Sequence, residues 1–412
     1  MAQHPFLKSI KPVNLLSFGP NTEEIELRPL NILIGPNGSG KSNLLEILRL
    51  LYLLPEKEPW SVILRTGGVD EWIWKGNNAP NTRSVIEAKV GWEVPRNDKF
   101  QNEPCVYKYK IGLDKFQNSF RISSESLRMA KRADDYHLQN SEFIRNGAAG
   151  ELHLRIGSSN GLPVFDLAPD QSILYQISSR PLAELGIGTR LPEILEIRDF
   201  FDSFDFHQDW EIGPDLSPRD PVPVGQSTER LEENAANLAQ MLKFYKDYHR
   251  SAFEKVEELM GKFYEPLKAL DVRLIGTHLQ VAIEEKDGFS TSAYRLSDGS
   301  LRWLALLVIL LNPTPAPLTC IEEPELGLHP DIIPTLADLL RDASTRTQLI
   351  LTTHSQALVE CFSDNPEAVC VCEKVEGATQ IRRLDRERLS SWLEDYSLGQ
   401  LWAKGEIGGN RW

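Results

Sequence analysis

Residues Gly35 to Ser42 read Gly-Pro-Asn-Gly-Ser-Gly-Lys-Ser and follow directly on the apolar run Leu30-Asn31-Ile32-Leu33-Ile34. This stretch constrains the fold more than any other. The pattern G-x-x-x-x-G-K-[ST] is a loop that wraps a phosphate, and it works only between a strand and a helix. Gly35, Gly38 and Gly40 let backbone N–H groups curl round an anion with no Cβ in the way. Pro36, Asn37 and Ser39 fill the loop between them. Lys41 can reach the β- and γ-phosphates, and Ser42 can place its hydroxyl on Mg²⁺. Asn43 opens the helical run Leu44-Leu45-Glu46-Ile47-Leu48-Arg49-Leu50-Leu51, whose N-terminal dipole would point at the anion.

The chain has 412 residues, enough for two or three domains and a large core. Apolar residues make up 41% and charged residues 25%, an ordinary globular balance. No apolar stretch approaches the roughly 18 residues of a membrane span, and the run Leu304–Leu311 reads as a buried helix. The N-terminus has no apolar signal core. Five cysteines, Cys105, Cys320, Cys361, Cys370 and Cys372, are few and irregularly spaced, which fits buried thiols of a reducing cytoplasm better than disulfides or zinc. Cys370 and Cys372 fall on one face of an expected strand and read as core. The net charge of −14 disfavours a broad nucleic-acid surface but leaves local basic patches open. Arg128, Lys131 and Arg132 form one such cluster, and Arg382, Arg383, Arg386 and Arg388 another. Solvated faces are the commoner reading of clusters this small.

Two or three strands are expected in residues 6–35, and an antiparallel set over 84–92, 106–113 and 120–127. Pro214, Pro218, Pro221 and Pro223 mark a surface loop or subdomain boundary. Residues 228–267 are strongly helical, as one long helix or two shorter ones, and 271–296 give a β-pair. From 297 onward the order helix, strand, helix, strand, helix, strand, strand predicts a doubly wound α/β lobe. The expected divisions are an N-terminal lobe at 1–135, an inserted mixed or helical subdomain at 136–290, a C-terminal lobe at 291–385 and a tail at 386–412. The tail from Tyr396 is rich in Gly and Trp and is not obviously core. It would either dock a partner or a second copy, or pack on its own domain.

The C-terminal third narrows the chemistry. Leu318-Thr319-Cys320-Ile321-Glu322-Glu323 is an apolar strand ending in adjacent carboxylates. Glu322 is assigned to the Mg²⁺ shell and Glu323, pointing the other way, to a general base for a hydrolytic water. Leu349-Ile350-Leu351-Thr352-Thr353-His354 is a strand ending in a histidine that could bond the γ-phosphate and the attacking water. One helix and a return strand fit between Glu323 and His354, which would bring the two side by side. Ser297-Asp298-Gly299-Ser300 opens a helix, with Ser297 as N-cap and Gly299 exposing backbone N–H groups, a second anion-binding helix start.

Taken in order, GPNGSGKS, LSDGS, CIEEPELGLHP and TTHS resemble the ABC-type ATPase heads of the SMC, RecF and OLD group. The N-terminal strands at 10–18 and 27–35 and Asn237-Leu238-Ala239 share that likeness. The resemblance implies a P-loop NTPase of mixed α/β fold that uses ATP and Mg²⁺. Lys41 and Ser42 would bind phosphates and metal, Glu322 and Glu323 would be the Walker B carboxylate and base, and His354 the switch histidine. Glu325–Pro330 would be the D-loop. Ser297 and Gly299 would be the signature that meets the γ-phosphate of a second copy, so the chain would form a homodimer or a higher even oligomer round two ATPs. Asp298 stands where many members carry Gly, and Glu322 where many carry Asp. The Q-loop glutamine has no clear counterpart, and Arg65–Trp72 is the place to look.

The resemblance favours a stand-alone ATPase or sensor subunit in DNA repair or phage defence, working with a separate effector protein, since little chain follows His354 to hold an appended nuclease. A membrane-transporter ATPase subunit is the alternative, disfavoured by the long stretch between Ser42 and Ser297. A nucleotide-gated scaffold with little turnover is a third reading. Nucleic acid is a possible partner that the charge does not reveal, and no membrane is expected.

Overall fold

A computed structural model describes residues 5–76, 83–95, 102–130, 141–146, 151–156, 162–166, 168–179, 192–208, 210, 218–225 and 230–409. Its centre is a six-stranded sheet in the order Asp205–His207, Leu318–Glu322, Gln348–Thr352, Leu30–Ile34, Val369–Val375, Ala378–Arg383. All neighbours pair parallel except the last, which returns antiparallel as a hairpin. The alternation within each strand decides where its side chains go. Leu30, Ile32, Ile34, Ile321, Leu349, Leu351, Val369 and Val371 face one core, while Leu33, Leu318, Cys320, Ile350, Cys370 and Cys372 face the other. A parallel sheet buried on both faces needs such continuous apolar strands. Cys370 and Cys372 therefore share a face, as the alternation predicts.

The first core is closed by helices Leu238–Tyr248, Arg250–Phe263, Asp298–Leu310 and Ile333–Ala343. The helical stretch expected over 228–267 is thus two helices, broken at His249. Asp298–Leu310 buries ten of its residues, each apolar one contributing about 1.5–3 kcal/mol of transfer free energy. The other core is closed by helices Lys41–Leu53 and Pro192–Asp202 and by an eight-stranded antiparallel sheet. A smaller antiparallel sheet, built from Val222–Pro223, His278–Glu285, Leu267–Ile275 and Ser290–Ser292, packs on helices Leu238–Tyr248 and Arg250–Phe263.

Pairing across the sheets runs differently from the linear divisions. The strand Leu30–Ile34 of the expected N-terminal lobe lies in the middle of the C-terminal sheet, between Gln348–Thr352 and Val369–Val375. The eight-stranded sheet continues past residue 135 through Ser141–Asn146, Glu151–Ile156 and Leu162–Asp166. Backbone donors and acceptors seek partners in space, and a strand buried on both faces finds them only inside a sheet. The tail also joins its own domain. Leu398, Leu401, Trp402 and Ile407 are buried in the first core, and helix Leu398–Ala403 packs on Gln356–Glu360.

Candidate functional site

The phosphate loop leaves the central sheet at Ile34 and enters helix Lys41–Leu53. Gly40 is the N-cap in the left-handed region at φ 102°, with no side chain capping it and no acid in the first turn. The first-turn amides of that helix are thus left for an external anion. A Cβ on Gly40 would lie 2.1 Å from Thr379 Oγ1 and 2.6 Å from Ser17 Oγ, and one on Gly35 would lie 2.3 Å from the Cys372 carbonyl oxygen. Both positions therefore require glycine. Gly38, at φ 77°, has open space and needs glycine for its backbone alone. Ser39 Oγ is buried and lacks a hydrogen-bond partner. Lys41 Nζ donates to the Gly35 carbonyl at 2.8 Å and the Pro36 carbonyl at 3.2 Å. Burial lowers its pKa, opposed only in part by the carboxylates of Glu323 and Glu322. An orphaned hydroxyl, an uncapped helix start and a cation held over the loop fit a phosphate.

Ser42 Oγ donates to Glu322 Oε1, joining the loop to the end of the carboxylate strand. A hydroxyl and a carboxylate form a hard-oxygen pair suited to Mg²⁺. Glu323, one residue on, turns into the left-handed region at φ 46°, and its N–H donates to the Thr352 carbonyl at 3.0 Å. A non-glycine residue held there stores strain, a recurrent mark of functional positions. The parallel register Glu322↔Thr352 sets the next residues of both strands side by side. His354 Nε2 lies 3.7 Å from Glu323 Oε1. Burial and then the Lys41 charge lower the pKa of His354, opposed by Glu323. The Thr353 N–H donates to the Leu33 carbonyl at 3.1 Å, which ties this strand end to the strand feeding the phosphate loop. Lys41, Ser42, Glu322, Glu323 and His354 thus lie at or after the C-terminal ends of three adjacent interior strands of the sheet.

Ser297 caps helix Asp298–Leu310, accepting from the Ser300 N–H at 3.1 Å. Gly299 sits against the D-loop segment, where a Cβ would come 2.8 Å from the Gly327 carbonyl oxygen. The contacts of Ser297, Asp298 and Gly299 run to Ser300, Arg219, Phe263 and Gly327, none of them in the phosphate loop. None of these contacts joins the two anion-ready helix starts within one copy of the chain.

Several supporting residues carry no local sequence signal. Asn43 Nδ2 donates to Ser17 Oγ at 2.7 Å, and Thr379 Oγ1 lies 2.6 Å from Ser17 Oγ and 2.8 Å from the Ser39 carbonyl oxygen. Trp210 Nε1 donates to the Glu322 carbonyl at 2.8 Å, and the Arg302 guanidinium stacks 4.8 Å over that indole while donating to the Leu326 carbonyl at 2.7 Å. Glu325 accepts from Thr353 Oγ1 at 2.5 Å and from the His354 N–H at 3.2 Å. In the Arg65–Trp72 segment Thr66 Oγ1 accepts from Trp72 Nε1 and the Gly68 N–H donates to the Ile63 carbonyl, with Val69 and Trp72 buried and Arg65, Thr66, Asp70 and Glu71 exposed. The C-terminal basic cluster is likewise engaged at home. Arg382, Arg383 and Arg386 donate to the carbonyls of Ile407, Glu367 and Asp364, and Arg388 pairs with Asp385. Lys131, Arg132, Pro214 and residues 410–412 lie outside the described residues. Among the described residues no helix is long and apolar enough to cross a membrane.

An SMC head solved with the C-winged helix domain of ScpA superposes over 93% of this chain and 99% of its own, at 14% identity and a TM-score of 0.51. The SMC head domain from Thermotoga maritima aligns over 92% and 99% at 16% identity, with a TM-score of 0.43. The first of these likenesses establishes the fold, the mixed α/β architecture of an SMC head. A family model matches residues 30–83 and 97–360, spanning the phosphate loop, both carboxylates, the Ser297 turn and His354. The chain belongs to the family described as "AAA domain, putative AbiEii toxin, Type IV TA system".

Proposed function

We propose that this chain binds ATP with Mg²⁺ at the Gly35–Ser42 loop and hydrolyses it, in a dimer whose second copy supplies Ser297 and Gly299. The convergence of Ser42 on Glu322, with Glu323 and His354 beside them, carries this reading. The loop amides and Lys41 would hold the phosphates, and Ser42 and Glu322 the metal. Mg²⁺, when bound, would neutralise charge developing on the β- and γ-phosphate oxygens. Glu323 would take a proton from the attacking water, and a neutral His354 would orient that water by hydrogen bonding. The contacts of the Ser297 turn do not reach its own loop, which supports a second copy closing the site, with the γ-phosphate as the switch for dimerisation.

The output is read as a switch in phage defence or DNA repair, with the damaging chemistry carried by a separate effector. The family description names a putative toxin of a Type IV TA system, a setting in which such a nucleotide switch could act. The test is Glu323→Gln in a steady-state ATPase assay with light scattering. Turnover is expected to fall by roughly 10²–10⁴ with ATP binding kept, as for loss of a general base. The variant should accumulate as a dimer with ATP and not with ADP. Turnover within a few-fold of wild type would exclude Glu323 as the base, and an ATP-bound monomer would exclude the shared site.

A further inference from the structure

The Ser297 turn is held from outside its helix by one buried arginine. Arg219, from the proline-rich segment, is only 5% exposed. Its Nη1 donates to the carbonyls of Ala293 at 2.9 Å, Tyr294 at 3.2 Å and Leu296 at 2.6 Å, and its Nη2 pairs with the Asp298 carboxylate. The next residue, Asp220, accepts from the Tyr294 hydroxyl at 3.0 Å. The segment is itself anchored, because Gln280 Nε2 donates to the Arg219 carbonyl at 3.4 Å and Val222 pairs with Leu279 in the small sheet. Two adjacent residues therefore add side-chain ties between residues 293–298 and the small sheet, whose strand Ser290–Ser292 runs directly into this turn.

A guanidinium this deep is tolerated because its donors meet three carbonyls and a carboxylate. Asp298 then has a defined role. At the first position of the helix it favours the dipole, but its charge would repel a phosphate approaching the same helix start. The paired guanidinium cancels that charge while leaving the carboxylate side chain 60% exposed.

We infer that Arg219 is the positioning residue of the Ser297–Gly299 turn, fixing its entry into the helix and neutralising Asp298 so that the turn can receive the γ-phosphate held by a second copy. This rests on the shared-site reading above. The test is complementation in mixed dimers. Arg219→Ala alone should lose roughly tenfold or more in kcat while its own loop binds ATP as before, the pattern of an interaction made only in the transition state. Mixed with Glu323→Gln, which lends an intact turn, Arg219→Ala should regain turnover above the sum of the two proteins measured separately. The control mixture is Ser297→Arg with Glu323→Gln. If the control complements and the Arg219→Ala mixture does not, Arg219 serves its own copy and the inference is overturned. If the control fails as well, the shared-site reading falls first. Wild-type kcat in Arg219→Ala would also overturn the inference. Should Arg219→Ala not fold, Arg219→Lys, which keeps the charge and loses the fork, carries the same two mixtures.

Discussion

His354 Nε2 stands 3.7 Å from Glu323 Oε1, and the two arrive there from neighbouring parallel strands whose last paired residues are Thr352 and Glu322. The contact is electrostatically lopsided. Burial and the Lys41 charge both disfavour a protonated imidazole, and the single opposing carboxylate does not outweigh them. A neutral imidazole beside a carboxylate can bond a water or a phosphate oxygen without neutralising the base.

That balance predicts a pH signature. An unfolded histidine takes up its proton near pH 6.5, whereas folded His354 does so at lower pH. Between those points the unfolded chain binds more protons, so stability rises with pH and is lost as pH falls through the window. Denaturation of wild type and His354→Gln across this range should show the wild-type advantage shrinking on acidification. Parallel curves would mean that His354 titrates as an ordinary surface histidine.

Glu325 should behave in the opposite sense. Burial, helped by Glu323, raises its pKa against hydrogen bonds from Thr353 and His354, and its Oε2 has no partner. The folded chain then holds a proton that the unfolded chain has released, so the contribution is full below the unfolded carboxylate pKa and lost as pH rises through the folded one. Glu325→Gln cannot titrate and should gain stability relative to wild type as pH increases, read by melting temperature at several pH values. A difference that is flat with pH would show a normally ionised carboxylate.

Gly40→Ala should damage the loop even though it adds only a methyl group. The residue would need φ 102° and would press on Thr379 Oγ1 and Ser17 Oγ, which are bound to each other and cannot give way independently. Backbone strain and overpacking together suggest a loss of about 2–4 kcal/mol. Urea denaturation and nucleotide titration should show lowered stability and weakened ATP binding, and an unchanged midpoint would remove this account of the glycine.

Ser42→Ala removes the hydroxyl that reaches Glu322. Losing a group that holds or orients a metal costs roughly 10- to 100-fold in affinity. The loss should appear in ATP affinity measured with Mg²⁺ and vanish in EDTA. Equal losses in both conditions would place Ser42 on the phosphate and not on the metal.

Much of the site was legible because its signals are local. Gly35, Gly38, Gly40 and Lys41 announce themselves by spacing, and Glu322, Glu323 and His354 by ending apolar runs. The chemistry of those positions depends on covalent neighbours and on strand periodicity, both written in order along the chain. That order also predicted a doubly wound α/β lobe, from the alternation of helix and strand after residue 297.

What tertiary structure alone decided is which distant groups meet. Ser17 and Thr379 brace Ser39 and Asn43 from opposite ends of the chain, Trp210 caps the Glu322 carbonyl, and Arg219 pins the turn before Gly299. A serine, a tryptophan or an arginine outside any periodic pattern looks the same whether it faces water or a buried carbonyl. Its partner is fixed only when sheet order places Leu30–Ile34 between Gln348–Thr352 and Val369–Val375, because hydrogen bonds act over a few ångströms of space and not along the sequence.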